Sequence, residues 1–164
     1  MPVPQRPQRK EGYVAMEELR EEAPVEVWLA HRVSYGETDA MGVVYHAEYI
    51  HFFERSRGEL CRVNGLGYND VEAAGFMLPV KEVECRYRIP ARYDDLIWIH
   101  ARVTEWRRAS MLFEYQIFDE SRTRVMCEGM TLHACVNREG RPVAIPAWMK
   151  ERLCGGSGEG KEQV

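Results

Sequence analysis

Apolar and polar residues alternate with period two through three separate stretches of the chain. Val83, Cys85, Tyr87 and Ile89 alternate with Glu82, Glu84, Arg86 and Arg88. Ile97, Ile99, Ala101 and Val103 alternate with Trp98, His100, Arg102 and Thr104. Met111, Phe113, Tyr115 and Ile117 alternate with Leu112, Glu114 and Gln116. Alternation of this kind predicts strands with one core face and one wet face. A fourth run, Arg124 to Val136, reads as a longer strand, and Gly129 inside it predicts a bulge or bend. Arg92–Asp95 and Asp119–Arg122 read as the connecting turns.

The first half follows a different rule. Val25 to Tyr35 predicts a strand that ends in a turn-like stretch, Gly36 to Gly42. A helix is predicted from about His46 to Asn64, with Tyr49, Ile50, Phe52, Phe53, Leu60 and Val63 as apolar positions. Its first half is apolar over more than one stripe, which predicts a helix enclosed by protein. Arg55 and Glu59 stand four apart and are expected to pair on its exposed strip. Gly65 and Gly67 supply a stop. A short helix is expected from Asn69, as N-cap, to Gly75, and another from Pro146 to Leu153. The order is strand, long helix, then strands in series. An antiparallel sheet needs its apolar face covered, and one long helix is available for it. A curved sheet wrapped around that helix is the economical arrangement.

Composition narrows the function classes. The chain has 164 residues, which suits one domain with tails, and a formal charge of −4. That charge argues against a simple basic-patch nucleic-acid binder. The apolar runs are far shorter than a membrane span, and the N-terminus lacks the apolar core of a secretory signal. Residues 1–24 are rich in proline and charge and read as a flexible arm, with a short helix around Met16 to Glu22. Residues 25–153 form the expected domain, and the glycine-rich residues 154–164 read as a flexible tail. The five cysteines are an odd, unclustered set without C-x-x-C spacing. They read as reduced thiols of a cytoplasmic protein.

The segment joining the first strand to the long helix carries the candidate chemistry. The first turn of a helix has unpaired N–H groups and a partial positive charge, which can hold a developing oxyanion. Asp39 stands just ahead of it and can act as nucleophile or as base on water. Gly42 permits close approach of a ligand to the backbone. The plainer reading of Asp39 is an Asx-turn residue, and that of His46 a surface residue in a first helical turn.

The pattern Tyr35-x-x-Thr38-Asp39-x-x-Gly42-Val43-Val44-Tyr45-His46-x-x-Tyr49, followed by Phe53-Glu54-Arg55-x-Arg57, resembles the 4-hydroxybenzoyl-CoA thioesterase family and its bacterial acyl-CoA thioesterase branch. A second, weaker match is Glu105-Trp106-Arg107-Arg108-x-Ser110. The resemblance covers about residues 26–140. Met41 departs from it, standing where relatives often carry glycine or alanine.

The resemblance implies an α+β hotdog fold, an antiparallel sheet wrapped around one long central helix. It implies hydrolysis of acyl-CoA to free acid and CoA, with Asp39 as the catalytic carboxylate and His46 as its companion. The His46 backbone N–H would be the principal oxyanion donor. Gly42, Val43, Tyr45 and Tyr49 would meet the substrate, and Arg107 and Arg108 the phosphates of CoA. Homodimers joined sheet edge to sheet edge, and homotetramers built from two of them, are also implied.

The physical requirements agree. A carboxylate is a modest nucleophile, but one aimed N–H in a dry site contributes about 3 kcal/mol. The thiolate of CoA leaves readily, so neither metal nor cofactor is expected. His46 and His51 are five apart and do not share a helical face, so a zinc pair is not read there. Glu54, a second carboxylate on the helix, reads as a surface or interface residue paired with Arg57. His31, His100 and His133 read as structural. Cys127 and Cys135 lack a histidine-base motif and do not read as nucleophiles. Two rival readings are hydratase chemistry, whose helix pattern is absent, and a non-catalytic hotdog protein that binds acyl-CoA.

Overall fold

The computed structural model describes residues 25–154 and the backbone of 161–163. The expected arm at 1–24, with its helix around Met16 to Glu22, lies outside the described residues, as do residues 155–160 and 164 of the expected tail. In chain order the elements are β1 (Glu26–Arg32), a 3-10 turn (Tyr35–Glu37), α1 (Glu48–Val63), α2 (Tyr68–Ala73), β2 (Phe76–Met77) and β3 (Val80–Tyr87). They continue with β4 (Leu96–Trp106), β5 (Ser110–Phe118), β6 (Val125–Ala134), β7 (Val136–Asn137), α3 (Ala147–Cys154) and β8 (Lys161–Gln163).

The main sheet runs β3-β6-β5-β4-β1-β8. Its pairs are antiparallel except the last, where the backbone of Lys161–Gln163 runs parallel to Val27–Leu29. The far end of the expected tail therefore meets the sheet edge. β2 and β7 form a separate small ribbon.

The alternation in β4 and β5 sorts their side chains as expected. Ile97, Ile99, Ala101, Met111, Phe113, Tyr115 and Ile117 are all buried on the face toward α1. The outer face carries charge, including the Arg102–Glu114 pair at 2.8 Å. β3 departs from the pattern. It is an edge strand, and Val80, Val83 and Tyr87 are about half exposed.

α1 packs across one face of the sheet, against β4 and β1, the hotdog arrangement. Its buried residues, Tyr49, Phe52, Phe53, Ser56, Arg57, Leu60 and Cys61, recur at three and four. That is one stripe, so the helix is not enclosed: Ile50, His51 and Glu54 face outward. The expected Arg55–Glu59 pairing is replaced. Arg55 reaches Glu37 at 3.2 Å, while Glu59 bonds Arg62. α2 is capped by Gly67, one residue ahead of Tyr68, rather than by Asn69.

Arg57 is buried and turns away from Glu54. It donates to the hydroxyls of Tyr68, at 2.8 Å, and Tyr115, at 3.2 Å. Tyr115 bonds Thr131 at 2.7 Å, Thr131 bonds His133 Nε2 at 2.9 Å, and His133 Nδ1 bonds the Leu78 carbonyl at 2.9 Å. One assignment of donors satisfies the whole chain. Tyr115 accepts from Arg57 and donates to Thr131, Thr131 donates to His133, and neutral His133 donates to Leu78.

Gly129 marks no bulge. It pairs in register with Cys85 on one side and Tyr115 on the other, and the irregularities lie elsewhere. A side chain there would meet the Phe53 ring and the Glu84 carbonyl. The glycine exists so that α1 can lie close on the sheet.

Candidate active site

The loop from Thr38 to Val44 is a small closed hairpin. Thr38 and Val44 form a bridge, Asp39 N–H donates to Val43 O at 2.9 Å, and Gly42 N–H donates to Asp39 O at 2.9 Å. Gly42 has φ +73°, the left-handed value that closes a turn of this kind. The loop is tied to its surroundings through Glu37. That carboxylate takes bonds from His31 on β1, from Ser34 N–H and from Arg55 on α1. Burial pushes its pKa up, and the His31 and Ser34 bonds outweigh that, leaving it below the ordinary value. The Glu37 carbonyl also accepts from Tyr45 N–H at 2.8 Å.

Asp39 is half-buried. Its Oδ1 accepts from Met41 N–H at 2.8 Å, which is an Asx-turn. The turn reading of Asp39 is therefore correct as geometry, and it uses one carboxylate oxygen. Among the described residues, Oδ2 has no hydrogen-bond donor. A carboxylate held by one oxygen and open at the other is oriented yet still able to react.

α1 starts at Glu48, two residues later than expected, with Ala47 as its N-cap. No side chain caps it. Among the described residues, the amides of His46 and Ala47 have no acceptor. Unsatisfied donors at a helix start are available to an anionic oxygen.

Asp39, Val43, His46 and Tyr49 line a single cavity of about 220 Å³. Its opposite wall is Tyr87, Arg88, Ile89 and Pro90, at the end of β3, and Met41 stands at its mouth, 78% exposed. Tyr49 is buried, and its hydroxyl accepts from Ala91 N–H at 3.1 Å. Its polar end is thus committed, and its ring faces the cavity.

Other expected residues stand apart. Tyr45 is exposed and packs on His46 with centroids 4.4 Å apart, outside the lining. Gly42 also lies outside it, its carbonyl accepting from Arg92 at 3.4 Å. Arg107 and Arg108 are on the β4–β5 turn and do not line the cavity. Arg107 holds Glu105 through two bonds, at 2.7 and 3.2 Å, and Arg108 is exposed. Among the described residues, no cluster of three or more His, Cys, Asp or Glu side chains is disposed to hold a metal ion.

Tyr87 was not anticipated. Its ring meets Tyr49 edge-on at 5.2 Å, and its hydroxyl donates to the His46 carbonyl at 2.9 Å. It therefore fixes, from the sheet, the peptide chain at the helix start. The available signal was its place in the β3 alternation, on the same face as Cys85.

The Thioesterase-like superfamily matches residues 33–153. An acyl-CoA thioesterase of Haemophilus influenzae is 37% identical over 121 residues, covering 73% of this chain and 88% of that protein. The crystal structure of a hypothetical protein from Thermus thermophilus superposes with TM-score 0.72 at 33% identity, covering 77% and 96% of the two chains. A 4-hydroxybenzoyl-CoA thioesterase variant complexed with 4-hydroxybenzoyl-CoA shares the fold with TM-score 0.72 at 18% identity, over 79% and 99%. No helix among the described residues is long and apolar enough to cross a membrane.

Proposed function

This chain belongs to the Thioesterase-like superfamily and is an acyl-CoA thioester hydrolase, and we propose that Asp39 drives its reaction against a carbonyl held by the His46 amide. The observation that carries this reading is one cavity lined by both Asp39 and His46. A thioester placed there sets its carbonyl oxygen on the free amides of His46 and Ala47. Asp39 Oδ2 then attacks the carbonyl carbon or takes a proton from a water that does. Both routes move negative charge onto the same oxygen, where a fixed N–H acts without reorganisation and contributes about 3 kcal/mol. CoA leaves as thiolate. This chemistry calls for no metal or further cofactor. His46, whose ring is exposed beside the mouth, orients water or the thioester.

Val43 and Tyr49 are the acyl contacts of the cavity, and Gly42 and Tyr45 flank its entrance. Its small volume suits a short or aromatic acyl group better than a long chain. Arg107 and Arg108 lie outside this cavity, and we assign them to the CoA phosphates of a substrate held by a second copy of the chain. We propose a homodimer joined along β3, whose outer edge has no strand partner among the described residues, with tetramers built from two such dimers. Free thiols at all five cysteines suit the cytoplasm.

The test is thiol release from short, long and aromatic acyl-CoAs, with the mass in solution measured alongside. Hydrolysis that collapses in Asp39→Asn supports the assignment. Tight binding of every ester without release of CoA would favour a carrier, and a monomer in solution would exclude the arginine role.

A further inference from the structure

Two cysteines 42 residues apart in sequence meet beneath the cavity wall. Cys85 on β3 and Cys127 on β6 place their sulfurs 3.4 Å apart. Both lie on the face toward α1: Cys127 is buried, and Cys85 is half-buried and packed against the core. They are diagonal neighbours, because Cys85 pairs across with Gly129 and Tyr87 pairs with Cys127. We propose that Cys85 and Cys127 form a reversible disulfide when a hydroperoxide reaches Cys85, and that this bond slows the enzyme by displacing Tyr87.

The sequence of bonds balances. The Cys85 thiolate attacks one peroxide oxygen and the O–O bond breaks. Sulfur becomes a sulfenic acid, and the other oxygen leaves as water or alcohol. Cys127 then attacks that sulfur, the S–S bond forms, and the sulfenic hydroxyl departs as water with the Cys127 proton. The two thiols lose two electrons and the peroxide gains them. A hydrogen bond from Cys127, opposed by burial, holds the Cys85 thiol down at about 7, while Cys127 is pushed up by the same bond and by burial. The accessible member of the pair is thus the thiolate, as the first step requires.

Closing the bond has a mechanical consequence. The sulfurs must approach to about 2.05 Å, and a disulfide spans Cα atoms up to about 6.8 Å apart. Diagonal partners in an antiparallel pair normally stand about 7–8 Å apart. Closing the bond from 3.4 Å thus draws the two strands together there. β6 is held between two neighbours of its own chain, whereas β3 ends at Tyr87, two residues past Cys85, so the end of β3 moves. Tyr87 rides on β3 two residues from Cys85, and its hydroxyl holds the His46 carbonyl. Displacing it loosens the turn that presents the His46 amide.

The effect on rate rests on the proposed function, but the disulfide itself does not. The full chain is treated with hydrogen peroxide, and intact mass and peptide mapping are recorded with thiol release from acyl-CoA. We expect loss of two hydrogens, a Cys85–Cys127 cross-linked peptide, and a turnover lower by roughly tenfold or more, all restored by dithiothreitol. Cys127→Ser, which keeps a hydrogen-bond donor toward Cys85, should give no cross-link and a sulfenic acid at Cys85 that dimedone traps. Absence of the cross-linked peptide in wild type overturns the disulfide. A cross-link with unchanged turnover overturns the switch. No turnover in the reduced protein would count against the function while leaving the mass result to decide the disulfide.

Discussion

The edge of the Phe53 ring on α1 comes within 2.6 Å of where a Cβ on Gly129 would stand. Phe53 cannot easily retreat, because it stacks on Tyr115 with centroids 4.5 Å apart and planes 11° apart. Tyr115 is itself the cross-strand partner of Gly129. The Glu84 carbonyl crowds the same point and is fixed backbone. Gly129→Ala should therefore cost about 3 kcal/mol by overpacking, and displace α1 from the sheet. Denaturant unfolding measures the loss. A change under 1 kcal/mol, on the order of an ordinary surface substitution, would mean that α1 does not lie this close.

Asp39→Asn keeps the shape of the side chain, and the amide oxygen can still accept from Met41 N–H. The turn should survive and the melting temperature should stay within a few degrees. Turnover should fall by a factor on the order of 100 or more, since the charged oxygen is lost. Near-normal turnover would reduce Asp39 to the turn residue that its geometry also allows.

Much of this was legible in the chain. β4 and β5 are flanked by strands on both sides and covered by α1, so burial alone sets their alternation. Asp39 and His46 came from a junction whose motif is local. What escaped was set by contacts between distant segments. Gly129 read as a bend because its partner Phe53 lies 76 positions earlier. The Cys85–Cys127 contact depends on the β3–β6 register. Arg57 was matched with Glu54 by proximity, while the fold sends it into the core toward Tyr115. Arg107 and Arg108 stand off the cavity for a related reason, since one chain does not bring the β4–β5 turn to it.

Arg107→Ala separates binding from chemistry. If Arg107 meets CoA phosphates of a neighbouring subunit's substrate, its loss should raise KM several-fold with kcat nearly unchanged, as removal of uniform binding does. The KM effect should shrink at high salt, where exposed charges are screened. An unchanged KM would leave Arg107 with its Glu105 pair alone.

Tyr87→Phe tests the strut on the helix start. The ring contact with Tyr49 is kept, while the hydroxyl bond to the His46 carbonyl and the hydroxyl's interaction with the Cys85 thiol go. A net hydrogen bond of about 1 kcal/mol corresponds to roughly five- to tenfold in rate if it serves to aim the amide. We expect kcat to fall by that factor with KM little changed. An equal loss of stability with kcat intact would make Tyr87 purely structural.

His133 gives the fold a defined acid sensitivity. Burial, with the Arg57 charge in the same direction and the Leu78 carbonyl opposing, lowers it from 6.5 to about 4. The groups around it are Arg57, Thr131, the Leu78 carbonyl and the Phe113 ring, and none is an acid that would favour the imidazolium. Protonating Nε2 would also leave the Thr131 hydroxyl without its acceptor. Because the folded pKa is depressed, the unfolded chain takes the proton first as pH falls. The stabilisation is complete above pH 6.5, declines between 6.5 and about 4, and is gone below that. The contribution is at most about 3 kcal/mol. His133→Asn cannot titrate, and its amide can still donate to Leu78, so it should be less stable at neutral pH yet lose less on acidification. Unfolding free energies of both proteins at pH 7.5 and pH 4.5 give the comparison. Parallel losses in the two would place the acid sensitivity elsewhere, with Glu37 and its depressed carboxyl the next group to examine.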